Sequence, residues 1–485
     1  MGNYLVILLF VTMIFFPVFV ADAAVEAGTV RVLLARQSTP VNFKVSADYQ
    51  LVNQTTGKFV TKIQKNENWQ VRLENDQIQF QGPHDSYGPF TGPVAVVQGY
   101  DFRVKVMAGN KKAVERTGAD GLTAIGAGGK IAPLAESSVL SARSIDGIKQ
   151  LGASPGLSLV SLQTGSEDRR YRGNMEFCIE KESLAVINEL NIEDYLRGVV
   201  PAEMLSFWPA EALKAQAVLA RNYALQKFEI TRGSSYHVTN DQQSQVYRGY
   251  DSETEATDRA VAETRGLVLV NRGEIISGLF HSSSGGFIEN SEDVWLNALP
   301  YLEKKEDPFD KNDRHYNWQV SYTNEQLTNM FKTEQEPFVQ ITDIEVAERT
   351  AAGARAKKLV IRGIGPDGMP ISREVKNAEN VRAVLGLKSA LFKMKKIYNK
   401  KDDIDDITEV KDERSEPKVD LNLDVADRNG VGNDLAGIEI SGSGYGHGVG
   451  LSQWGAYGMA KQGYNYQDIL KYYYKDVSLV SDYGR

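Results

Sequence analysis

The sequence predicts an α+β protein, with a β-rich N-terminal part followed by a mixed α/β region that carries helices over 191–200 and 209–229. Three observations predict it. Between Thr29 and Phe80 short apolar runs or alternations recur, separated by turn residues such as Thr56-Gly57 and Glu74-Asn75-Asp76. Two segments with helix-start signals and helical composition follow. Strand-like and helical stretches then intermix to the end of the chain.

TVRVLLA, VNFKVSA, YQLVN, FVTKI, WQVRL and QIQF read as strands because β-branched and aromatic residues dominate them. Residues 118–135 (GADGLTAIGAGGKIAPLA) read as a loop or weakly patterned connector. Strand character returns in LSLVSL, YRGNMEFCIE and LAVINEL. Asn191 is placed to cap NIEDYLRGVV, with Asp194 at the third helical position. Pro209 suits a first helical position, and Glu211 the positive end of the dipole. The helix from 209 to 229 carries a narrow stripe of Leu213, Ala217, Ala220, Ala224 and Phe228, whose alanines imply close approach of another element. Residues 267–280 predict a hairpin turning at Asn271-Arg272-Gly273. A second strand-rich stretch covers 340–375. Near the end, one short helix stops at Gly463 and another opens at Asn465.

The chain of 485 residues is 42% hydrophobic and 24% charged, ordinary for two or three globular domains. Its net charge of −8, with no basic block, argues against a nucleic-acid partner. Tyr4 to Val20 carries no charge and is followed by Ala21-Asp22-Ala23, a small-x-small cleavage pattern. Residues 1–24 are therefore expected to be a signal peptide or a retained membrane anchor, and the protein to be exported. Cys178 is the only cysteine, which excludes an intramolecular disulfide and a two-cysteine zinc site. It is expected to be a buried small hydrophobe. The run 401–417 holds eight acidic and three basic residues with little periodicity, the mark of a solvated insertion (about 400–437).

Three places invite a chemical reading. Between Gly442 and Gly458 lie seven glycines, and Gly444, Gly446, Gly448 and Gly450 alternate. No G-x-G-x-x-G register and no Walker lysine fit, so nucleotide binding is not indicated. Either two strands cross there, or a substrate-lining loop presents His447, Gln453 and Trp454. HSSSGG (281–286) places hydroxyls beside a histidine, but no G-x-S-x-G occurs in the chain. Ligand binding is the stronger reading there and a serine nucleophile the weaker. The third is Glu203, set among Val199, Val200, Pro201, Met204, Leu205, Phe207 and Trp208, between the two helices. Burial would raise its pKa and keep it protonated, as a general acid requires. A carboxylate capping helix 209–229 is the dull alternative, and the residues alone favour it. The five histidines form no compact metal motif, so no metal or cofactor is expected.

EDYLRGVVPAEM, ALKAQAVLARNYAL, QSQVYRGY, FHSSSGGFIENSEDVWLNALPYL, GYGHGVGLSQWGAYGMAKQG and ILKYYYKDVSL occur in that order between about 170 and 480. Together they resemble the stage II sporulation protein D family, which includes the amidase-enhancer proteins of bacterial autolysins. The resemblance divides the chain into 1–24, a β-rich region over 25–180 and a catalytic domain over 181–485. It implies peptidoglycan as substrate, cut between N-acetylmuramic acid and N-acetylglucosamine on peptide-stripped strands to leave 1,6-anhydro ends. It assigns the catalytic acid to the glutamate of the V-x-A-E-M block, here Glu203, and so reverses the reading favoured by the residues alone. It makes Gln216, Arg221, Tyr223, Gln245, Tyr247, His281, Ser283, His447 and Gln453 candidate substrate-binding residues. It also implies a place in the cell wall or on the outer face of the cytoplasmic membrane, with a cell-wall amidase and other membrane-associated cell-wall proteins as partners. An uncleaved N-terminus would add membrane contact. The alternative is a non-catalytic glycan-binding enhancer of an amidase.

Overall fold

A computed structural model describes residues 29–99, 157–164, 167–295, 297–332, 337–351, 354–399 and 434–481, together with six short strands between 103 and 150. The expected signal segment and the charged insertion lie outside these residues. The chain divides into two compact units, and neither is continuous in sequence. The first takes 29–206 and 224–265, the second 207–223 and 266–481.

The first unit is built on two antiparallel sheets. One has seven strands, in the order Val238–Thr239, Thr29–Gln37, Ser183–Asn191, Asn174–Glu180, Val94–Gln98, Tyr49–Asn53 and Lys58–Ile63; only its two-residue edge strand pairs in parallel. The other has six: Glu167–Tyr171, Val160–Thr164, Val41–Val45, Trp69–Glu74, Gln77–Gln81 and Ser86–Phe90. Strict alternation in Val41–Val45 puts Val41, Phe43 and Val45 inside and Asn42 and Lys44 outside. Phe43 and Phe80 of the second sheet meet Phe177 of the first at ring distances of 5.7 and 5.5 Å, which joins the two faces in one aromatic core. Cys178, on the opposite face of its strand from Phe177, is buried against Leu33, Ala185 and Ile187, and burial pushes its thiol up to about 11. YRGNMEFCIE is not one strand. Gly173 at φ 78° breaks it, so Tyr171 closes one strand and Asn174 opens the next. Residues 118–135 contain a short hairpin, Thr123–Ile125 with Ile131–Pro133, too brief to leave a periodicity.

Eight α-helices occur among the described residues. Helix α1 (Ile192–Glu203) leaves the strand Ser183–Asn191 at Asn191, whose side chain accepts from the Glu193 N–H. It was expected to stop before Pro201. It continues to Glu203, because a proline in the last turn forfeits a single backbone bond, and the Met204 N–H closes the end on Val200 O. Helix α2 (Ala210–Ile230) begins just after Pro209, whose carbonyl accepts from Ala212 and Leu213. Its alanines 212, 215, 217, 220 and 224 are fully buried. The Gly278 backbone lies against α2, where any Cβ would fall 2.5 Å from Leu219 O, which accounts for the small side chains. α3 is Glu255–Glu263, α4 Ser291–Val294, α5 Asn324–Phe331, α6 Ala378–Val384, α7 Gln453–Lys461 and α8 Tyr466–Tyr473.

In the second unit the predicted hairpin turns at Arg272 and Gly273, both at positive φ, between paired Asn271 and Glu274. Two three-stranded antiparallel sheets, Asn317–Thr323/Leu435–Ser443/Phe392–Tyr398 and Gln340–Arg349/Ala356–Ile364/Pro370–Lys376, enclose a core that includes Trp318, Phe331, Phe338, Leu359, Phe392 and Ile440.

Candidate functional site

Glu203 is the last residue of α1. A carboxylate there sits at the negative end of the helix, so helix stability does not explain it. The acidic position in the first turn of α2 is filled by Glu211, bonded to Lys214 and accepting the Tyr466 N–H. The apolar residues around Glu203 are only partly core. Met204 is buried, whereas Leu205 is 50% exposed and Phe207 80% exposed. Glu203 itself is half-buried rather than sealed. Its Oε1 accepts the Val246 N–H at 2.9 Å.

The segment that supplies this donor is fastened to α1 along its length. The Tyr195 hydroxyl donates to Gln245 Oε1 at 3.2 Å. The Tyr247 ring rests on Gly198, where a Cβ would lie 2.5 Å from the ring. The Tyr247 hydroxyl donates to Asn188 Oδ1 at 2.8 Å, and the Arg248 N–H donates to Gly198 O. Gln245 is buried, and its Nε2 has no hydrogen-bond partner among the described residues.

In the second unit, Gln453 Nε2 donates to Gln216 Oε1 at 3.4 Å, and the Gln216 Nε2 is buried without a partner among the described residues. Trp208 packs on Trp454 and Tyr457 at 4.7 and 5.1 Å, a cluster able to meet the C–H face of a ring ligand. Tyr223 is half-buried on α2. Arg221 is 1% exposed and donates to Leu267 O.

The two Gly-rich motifs cross. Phe280 and His281 pair in parallel with Leu451 and Ser452, and Ser283 bridges Tyr445. Gly444, Gly446, Gly448 and Gly450 all have positive φ, and any Cβ on them would strike Ser283 O, the His281 side chain, the Arg355 guanidinium and Leu279 O respectively. The alternating glycines therefore serve the crossing. His281 Nδ1 lies 3.1 Å from Val449 O and must donate to it, which leaves Nε2 an acceptor, buried and without a partner among the described residues. His447 has the opposite tautomer. Its Nε2 donates to Phe280 O and its Nδ1 accepts the Val449 N–H. Burial keeps both rings neutral, His281 well below its ordinary value and His447 at about 4.

A buried carboxylate, Asp310, holds HSSSGG in shape. Its Oδ2 accepts from Ser283 Oγ, Ser284 Oγ and the Gly285 N–H at 2.9, 2.8 and 2.8 Å. Arg355, fully buried, donates to Ser284 O and Phe287 O. Asp307 accepts from Tyr473, and burial together with the nearby Asp310 charge raises its carboxyl to about 7. Sequence reasoning missed Asp307, Asp310 and Arg355, because their motifs carry no pattern beyond scattered charge.

Several expected ligand contacts thus have other work. Ser283 donates inward to Asp310 and is fully buried, which removes it both as a ligand contact and as a nucleophile. The polar atoms of Tyr247 and His447 are engaged within the fold, and Arg221 is buried on a carbonyl. Glu203 and Tyr223 are half-exposed, Gln245, Gln216 and His281 keep a buried polar atom without a hydrogen-bond partner among the described residues, and Gln453 is bonded to Gln216. No group of three or more metal-ligating side chains converges among the described residues.

Comparison with known proteins gives this arrangement a context. A sequence model described as stage II sporulation protein matches residues 180–271, and one for a domain of unknown function matches 263–409. The chain is 33% identical over 319 residues to an uncharacterized protein of Brachyspira hyodysenteriae, covering 65% of this chain and 73% of that one. It is 32% identical over 296 residues to an amidase enhancer of Bacillus subtilis, covering 59% of this chain and 40% of the relative. It is 29% identical over 315 residues to stage II sporulation protein D of Bacillus subtilis, covering 60% and 75%. The span 180–271 holds Glu203, α2 and the Gln245–Tyr247 segment, and with these relatives it shows that the chain belongs to the stage II sporulation protein D family.

Proposed function

We propose that the protein is an exported peptidoglycan lytic transglycosylase in which Glu203 is the sole acid and base. The observation that carries the reading is the Glu203 carboxyl itself, half-exposed at a helix end and steered by the Val246 N–H. In this reading the protonated Glu203 gives its proton to the oxygen between N-acetylmuramic acid and N-acetylglucosamine as that bond breaks, and the muramyl ring becomes oxocarbenium-like. The ionised Glu203 then takes the proton of the muramyl C6 hydroxyl, whose oxygen closes on C1 to form the 1,6-anhydro ring. The nucleophile belongs to the substrate, so the scheme uses one carboxylate. Gln216, Gln453, Tyr223 and His281 are the proposed glycan contacts, while Arg221, Tyr247, Ser283 and His447 hold the scaffold and Gln245, buried against Tyr195, supports the segment that donates to Glu203. The apolar run Tyr4–Val20 supports a place in the cell wall or on the outer face of the cytoplasmic membrane.

A second reading, favoured by the amidase-enhancer relative, is a glycan-binding protein that stimulates a cell-wall amidase. One experiment separates the two. Purified protein is incubated with peptide-stripped glycan strands, and the ends are analysed by mass. Anhydro ends from the wild type and none from Glu203→Gln support the enzyme. Amidase stimulation that survives Glu203→Gln, with no anhydro product from the wild type, supports the enhancer.

A further inference from the structure

We propose that Tyr195 and Gln245 are positioning residues for Glu203, an inference that rests on the catalytic reading of that carboxylate. The bond between them fixes the start of the segment whose next peptide donates to Glu203 Oε1. Tyr195 lies on α1 two turns before Glu203, so the helix that carries the acid also carries the hydroxyl that anchors its donor. The three residues Gln245, Val246 and Tyr247 therefore form a short bridge. It is tied at one end by Tyr195, at the other by Asn188 and Gly198, and it supports the carboxylate from its middle.

Packing alone does not account for Gln245. Its side chain is 1% exposed, and one half of its amide has no partner among the described residues. A leucine of similar size would fill the same space without burying an unmatched donor. Tyr247 and Arg248 already hold the segment to α1, so the Tyr195–Gln245 bond adds direction more than attachment. The N–H of Val246 belongs to the peptide that follows Gln245. Freedom at Gln245 turns that donor, and with it the oxygen it holds.

The test uses Tyr195→Phe, Gln245→Leu and the double variant of the full chain, each first checked for wild-type thermal unfolding. Two readouts follow. One is the pH profile of anhydro-end formation on stripped glycan. The other is the titration of the Glu203 side-chain carboxyl by NMR in carbon-13 glutamate-labelled protein, with its signal assigned by Glu203→Gln. Each single variant should lower kcat by ~10- to 100-fold with KM within about twofold, the cost of misplacing a reacting group. Each should also move the Glu203 titration midpoint, and the double variant should be no worse than either single. Variants that fold normally and leave both the midpoint and the pH profile unchanged overturn the proposal. A wild type that forms no anhydro ends overturns the catalytic reading instead, and the NMR titration still decides whether Tyr195 and Gln245 set the state of the carboxyl.

Discussion

Replacing Asp310 by alanine should destabilise the second unit by about 3–5 kcal/mol, the range for removing one partner from a buried charged network. The figure follows from what its Oδ2 does. It accepts two hydroxyls and one peptide N–H, at 2.8 to 2.9 Å. Bonds to a charged acceptor contribute about 1.5–3 kcal/mol each, but three donors that share one oxygen do not add in full. Ser283 and Ser284 are fully buried, so water cannot replace the lost acceptor, and the buried Arg355 loses a nearby opposite charge. Asp310→Asn keeps an acceptor oxygen in place and should cost about 1–3 kcal/mol, the penalty of weakening rather than deleting the bonds. Urea unfolding followed by tryptophan fluorescence suits the question, because Trp208, Trp295, Trp318 and Trp454 lie in the second unit and only Trp69 in the first. An alanine variant that loses less than about 1 kcal/mol, or an asparagine variant that loses as much as the alanine, would refute the account of Asp310 as the acceptor that shapes HSSSGG.

Two further outcomes follow from close packing and from burial. Gly198→Ala places a methyl 2.5 Å from the Tyr247 ring and should cost about 1–3 kcal/mol, with activity falling further because the Val246 donor is displaced; thermal unfolding together with the anhydro-end assay checks both. Asp307, raised to about 7 by burial and by the Asp310 charge, binds a proton in the folded state that the unfolded chain releases near 4. Its contribution to stability is therefore complete below about pH 4 and declines as pH rises to about 7, by up to about 4 kcal/mol. Asp307→Asn should remove part of the wild-type fall in stability between pH 5 and pH 8, as measured by urea unfolding at both values.

Much of the architecture was legible because it rests on local rules. The six N-terminal strands show in their alternation, the Asn191 cap in its side chain, and the 271–274 hairpin in the Arg272-Gly273 pair that tolerates positive φ. The end of α1 was not legible, since proline in a last turn and proline after a helix leave the same sequence mark. At the candidate site, the apolar block made Glu203 conspicuous, yet Leu205 and Phe207 face outward and the carboxyl is half-exposed. The partners of HSSSGG were invisible for a different reason. Asp310 and Arg355 stand 24 and more residues away, and the contacts that give them meaning form only when the chain folds back.

The crossing of 280–283 with 445–452 also bears on how the chain is made. About 160 residues separate the two segments, so the loop between them must close before either finds its place. Synthesis delivers the glycine-rich segment about 160 residues after HSSSGG. Until it emerges, His281 and its neighbours have no pairing partner, and the buried carboxylate beneath the serines is open to water. The second unit is thus a purse drawn shut by a late stitch, and a chain lacking that segment leaves it open.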